Sequence, residues 1–166
     1  MNHDLNQKPL VVAGTFMGIG LGGFFDGILF HQLLQIHNML SAKFPKTSIA
    51  NMEINMFWDG LFHSLTYTMT LIGLGLLWKC GARRDVPWSG KTFLGAYFLG
   101  WGLFNFVEGI IDHHILNIHH VLESHGQSMF DYLFLASGLI MIIGGVMTIR
   151  SARTDGAQPR GGLAPQ

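Results

Sequence analysis

The stretch LVVAGTFMGIGLGGFFDGILF, residues 10–30, carries one charged side chain, Asp26, and no proline. A helix rises about 1.5 Å per residue, so about 20 residues cross the roughly 30 Å of hydrocarbon in a bilayer. Backbone amides in lipid must find partners within their own segment, and a stretch of this kind therefore spans as a helix. Three further stretches read alike, at about 56–78, 93–111 and 130–149, each free of proline and rich in Leu, Ile, Phe and Gly. The first stretch reads as a span rather than a cleaved leader. Only Lys8 precedes it as a basic residue, no small-residue cleavage site follows, and it carries Asp26.

Composition agrees. The 166 residues are 49% hydrophobic and only 12% charged, with ten basic and ten acidic residues, and the mean hydropathy is +0.34. A disordered chain needs low hydrophobicity and high net charge. A nucleic-acid binder needs a basic face. A disulfide-stapled domain needs several cysteines, and Cys80 stands alone. What remains is a polytopic membrane protein with nine histidines. Lys8, Lys79, Arg83, Arg84, Lys91, Arg150, Arg153 and Arg160 flank one side of the spans, against Lys43 and Lys46 on the other. The positive-inside rule then predicts both termini and the middle loop in the cytoplasm. Residues 1–153 read as one four-helix domain, and 154–166, rich in Gly, Pro and Ala, as a disordered tail.

The chain also repeats itself. Asp26-Gly27, His31 and His37 return as Glu108-Gly109, His113 and His119, all at an offset of 82 residues. A weaker echo sets Asp59 against Asp131 at an offset of 72, with Leu135 where the first copy has His63. The expected architecture is all-α: a four-transmembrane-helix bundle of two tandem helical hairpins, about 10–78 and 93–149. Hairpins entering with the same orientation predict a pseudo-two-fold axis along the membrane normal, and facing helices then share a central site.

Ionisable residues inside a membrane are costly and read as functional. On a continuous helix Asp26 and His37 point within about 20° of each other, Glu108, Asp112 and His119 within about 40°, and Asp59 and His63 share a face. All fall toward the extracytoplasmic ends of their spans. Imidazole with carboxylate suits Cu, Zn or Fe. The candidate metal ligands are therefore Asp26, His31, His37, Asp59, His63, Glu108, Asp112, His113 and His119. They suffice for two ions, or for one ion with an acid behind each histidine. One histidine alone would read as a hydrogen-bonding partner. The duplicated acid-x4-His-x5-His shifts the reading to metal. His114, His120 and His125 read as solvated, the methionines as packing, and Asp131 as an N-cap. The run from Leu10 past Gly27 to Met39 is too long for the hydrocarbon, so the first and third helices either project from the membrane or break near Gly27 and Gly109.

The strings GGFFDGILFHQ (22–32), DGLFH (59–63) and EGIIDHH (108–114) resemble those of the bacterial domain-of-unknown-function family 2243, over about 10–149. The resemblance implies a four-helix inner-membrane protein and brings no activity with it. The functional expectation is a membrane metalloprotein handling a transition metal at the outer face, for instance in respiratory-enzyme maturation. The alternatives are a one- or two-metal oxidase or hydrolase acting on a lipid or small apolar molecule, and a haem b protein ligated by His31, His63 or His113. A proton pathway is disfavoured by the apolar cytoplasmic halves. Expected partners are the bilayer, the metal ion, and a membrane-protein partner or second copy, with no nucleic acid.

Overall fold

The computed structural model describes residues 6–154, all helix and connecting loop with no strand among them. Helix α1 spans Lys8–Asp26, α2 Ile49–Gly81, α3 Gly90–Glu108 and α4 Met129–Thr154. Thr154 thus ends a helix, and the rest of the tail expected at 154–166 lies outside the described residues. All four helices are long and apolar enough to cross a membrane. Their starts are set locally. Pro9 sits in the first turn of α1, where its missing N–H costs nothing. The hydroxyls of Ser48 and Ser89 accept the amides of Asn51 and Thr92, capping α2 and α3. At α4 the Asp131 carboxylate accepts the Ser128 amide at 2.8 Å, one arm of a capping box.

Helices α1 and α3 pack as a central pair, with α2 against α1 and α4 against α3. Glycine makes the closeness of these contacts possible. A Cβ on Gly18 would collide with the Tyr97 carbonyl oxygen, and one on Gly100 with the Thr15 carbonyl oxygen. A Cβ on Gly73 would lie 2.7 Å from the Met17 nitrogen, and one on Gly145 2.6 Å from the Leu99 nitrogen. Gly100→Ala should therefore force α1 and α3 apart and cost about 1–3 kcal/mol. Gly75→Ala, with no atom within 4 Å of the added carbon, should cost nothing. Thermal unfolding of both variants in detergent checks this, and equal midpoints would refute the close-packing account.

The first and third helices neither break nor run straight at Gly27 and Gly109. Each widens into a π-helical segment, Gly27–Leu33 and Gly109–Ile115. The Leu34 amide reaches back five residues to the Leu29 carbonyl at 2.8 Å, and the Leu116 amide to the Ile111 carbonyl at 2.7 Å. The chain then reverses at two non-glycine residues with positive φ, Gln35 (51°) and Asn117 (48°). Those two loops fold back over the helix ends and carry the site.

Candidate metal centre

Two routes deliver the histidines. His31 and His113 come from the π segments, where the wide turn re-aims side chains, as such turns do at many functional sites. His37 and His119 arrive from the reversed loops. The 100° helical spacing that aligned them with Asp26 and Glu108 thus does not apply, because residues 34–39 and 116–121 are not helical. The loops hold each other instead. The Nδ1–H of His37 donates to the Val121 carbonyl at 2.9 Å and that of His119 to the Met39 carbonyl at 3.1 Å. The Ala42 amide donates to the Ile118 carbonyl at 3.0 Å, and the Ser41 hydroxyl to the Glu123 carboxylate at 2.6 Å.

The four imidazoles form one cluster. Ring centroids lie 4.6 Å apart for His31 and His37, 4.9 Å for His37 and His119, and 4.8 Å for His113 and His119. Three hydrogen-bond an acceptor through Nδ1, and the fourth, His113, has a carboxylate oxygen beside Nδ1 without a hydrogen bond. His37 and His119 face carbonyls, His31 faces Asp59 Oδ1 at 2.9 Å, and His113 faces Asp131 Oδ1 at 3.0 Å. A carbonyl oxygen only accepts, so the proton of His37 and His119 sits on Nδ1. Burial holds the His37 imidazole down to about 4 and that of His119 to about 3, with the neighbouring histidine of each, His31 and His37 respectively, as the next cause. Both are neutral at pH 7. All four Nε2 atoms are buried and make no hydrogen bond.

Two carboxylates face these lone pairs. Asp26 Oδ2 lies 3.2 Å from His31 Nε2, and Glu108 Oε1 lies 3.3 Å from His119 Nε2. Asp26 Oδ2 and both Glu108 oxygens are likewise buried without a hydrogen bond. Lone pairs aimed at lone pairs out of water are unfavourable unless a cation or proton sits between them. Three sets of ligand atoms lie within 4.8 Å of one another: His31, His37 and His119; Glu108, His113 and His119; and Asp26, His31 and Glu108.

Of the nine candidate ligands, six converge: Asp26, His31, His37, Glu108, His113 and His119. Asp59 stands behind His31. Besides that imidazole it accepts Asn38 Nδ2 at 2.6 Å and the Met39 amide at 2.8 Å, so its oxygens are committed. His63 and Asp112 belong to none of the three groups. The His63 Nδ1–H donates to the Asp59 carbonyl in its own helix at 2.7 Å, and its ring packs on Gly27.

Two residues carry more than their sequence positions suggested. Asp131, expected as a cap alone, also accepts the Val121 amide at 3.0 Å and faces His113. The offset that paired it with Asp59 was the available signal. His120, expected in solvent, is buried with Nδ1 3.6 Å from Asp131. It occupies the place that Asn38 holds beside Asp59. Asn55, 1% exposed, is a further buried polar residue beside the site. It fastens the first loop by accepting the Leu40 amide and donating to the Phe44 carbonyl, and nothing in sequence separates it from an ordinary helical asparagine.

The family described as "Predicted membrane protein (DUF2243)" matches residues 13–152. No curated protein and no solved structure matches the chain.

Proposed function

We propose, for a chain that belongs to the DUF2243 family of predicted membrane proteins, that it is a multi-pass membrane metalloprotein. Its transition ion sits among His31, His37, His113, His119, Asp26 and Glu108. One observation carries the reading: four buried imidazoles present unpartnered Nε2 atoms to one another, while Nδ1 is hydrogen-bonded in His31, His37 and His119 and lies beside the Asp131 carboxylate in His113. An acceptor at one ring nitrogen fixes the tautomer, orients the ring and raises the basicity of the other nitrogen, the usual support for a metal-binding histidine. The set of four imidazoles and two carboxylates, without thiolate, suits Zn or Fe better than Cu(I).

The duplicated hairpin accounts for the geometry. Contacts such as Gly18 to Tyr97 and Gly100 to Thr15, or His37 to Val121 and His119 to Met39, exchange under the 82-residue offset. That reciprocity supports a pseudo-two-fold relation through the site. Lys79, Arg83, Arg84, Lys91 and Arg150 lie at or beyond the helix ends remote from the histidines. By the positive-inside rule those ends are cytoplasmic, and the centre faces the outside of an inner membrane. All six side chains are buried, none more than 6% exposed. The centre is thus closed in this state, which suits an ion held rather than one in passing.

Elemental analysis of the purified protein should find a first-row transition metal, and His31→Ala combined with His113→Ala should abolish it. Full-length protein that stays metal-free after exposure to Zn(II), Fe(II) and Cu(II) would refute the reading.

A further inference from the structure

The three ligand groups overlap, and the overlaps are informative. No four of these residues place their ligand atoms within 4.8 Å of one another. Donors of one ion stand closer than that, since metal–ligand bonds are about 2.0–2.2 Å. One ion in any single group would thus leave three of the six donors buried and unpaired. Two ions divide them better, but only one division is chemically allowed. The all-histidine group shares His119 with the second group and His31 with the third. Neither imidazole can serve two ions, because its Nδ1 is already engaged by Met39 or by Asp59. The second and third groups share only Glu108, and a carboxylate has two oxygens. Both Glu108 oxygens are buried and unpartnered.

We infer that the site is a two-ion centre bridged by Glu108, with Asp26 and His31 holding one divalent first-row ion and His113 and His119 the other. The inference rests on the metal-binding reading above and specifies its nuclearity. His37 lies between the two halves, 4.6 Å from His31 and 4.9 Å from His119 by ring centroids. Its Nε2 is left to complete either sphere.

Charge supports the same count. Asp26, Glu108, Asp59 and Asp131 are all buried, at 4%, 6%, 1% and 0% exposure. Their ion-pair partners among the described residues are histidines. Asp59 and Asp131 each accept two or more donors from backbone and side chains, which holds a carboxylate ionised. With Asp26 and Glu108 deprotonated by the ions they bind, four buried carboxylates balance two divalent cations. A single divalent ion would leave the pocket strongly negative, and such a state is costly out of water. Carboxylate-bridged pairs of ions typically stand about 3.5–4 Å apart, close enough to couple magnetically.

The test uses the full-length protein in detergent, stripped of metal and titrated with Mn(II). Two ions per chain are expected, with the spectrum of an exchange-coupled pair in electron paramagnetic resonance. Glu108→Gln, which keeps the size but weakens one oxygen as a ligand, should lose the coupled signal and retain at most one ion. A wild-type protein that saturates at one ion overturns the two-ion centre and leaves metal binding intact. So do two ions whose spectrum shows no coupling, or a coupled pair that survives Glu108→Gln. A protein that takes up neither Mn(II) nor Zn(II), Fe(II) or Cu(II) refutes the metal reading itself.

Discussion

Asp59→Ala should be among the most damaging single substitutions in this chain, lowering stability by about 3–5 kcal/mol and metal affinity at least 10- to 100-fold. The carboxylate is 1% exposed and terminates four donors: His31 Nδ1 at 2.9 Å, Asn38 Nδ2 at 2.6 Å, the Met39 amide at 2.8 Å and Gln32 Nε2 at 3.3 Å. Removing one member of a buried, hydrogen-bonded charged set leaves the rest without partners, and the cost has the stated size. The metal effect follows from His31. Without an acceptor at Nδ1, that ring loses its tautomer and its aim, and the loss of such an outer partner typically weakens binding by the factor given. Asp131→Ala should act in the same direction through His113 and the amides of Val121 and Ser128. Asp85→Asn, which breaks an exposed pair with Arg83, should be nearly silent. The check is the thermal midpoint of metal-free protein together with a Zn(II) competition titration. An Asp59→Ala protein that melts and binds like wild type would remove the supporting role assigned to both aspartates.

The same aspartate shows what the sequence discloses and where it stops. Four apolar stretches dictated four helices because the bilayer admits little else, and all four are present. Helix α2 nonetheless begins at Ile49, before the apolar run at Met56, because Ser48 caps it and length beyond the lipid is free to be polar. The pairing of Asp26 with Glu108, His31 with His113 and His37 with His119 was legible from the offset alone, and these six are the residues that converge. Their mode of convergence was not legible. A helical wheel assumes one period, and both helices change period at Gly27 and Gly109. The loops then reverse at Gln35 and Asn117, residues whose positive φ no composition rule demands. Asp59 and Asp131 illustrate a different limit. Spacing marks a carboxylate as near a histidine, but whether it faces the shared cluster or the far side of the ring depends on which imidazole nitrogen it meets.

Acid should unlock the metal-free protein. His37 and His119 titrate near 4 and 3 in the folded chain, against about 6.5 for an unfolded histidine. Between those values the unfolded chain binds protons that the folded chain refuses, so stability must rise with pH across that window. Above about pH 6.5 both states carry neutral imidazoles and the dependence vanishes. Below it the two buried rings, with exposures of 1% and 0%, together cost a few kcal/mol as pH falls toward 4. The loss has a location. The rings stack 4.9 Å apart, and each anchors its own loop to the other, so two imidazolium charges would repel across the contact that knits the loops. Opening should therefore begin there, with α1 to α4 still helical. The share of the thermal midpoint of metal-stripped protein that these two rings control should fall from pH 7 to pH 4 and be constant from pH 7 to pH 8. His37→Phe, which keeps a ring but cannot be protonated, should flatten part of the slope. Bound metal should delay the fall, because the proton must first displace an ion from Nε2, and release should then coincide with the loss of stability. A wild-type midpoint no more acid-sensitive than that of His37→Phe would mean that the His37 imidazole is not held neutral by burial.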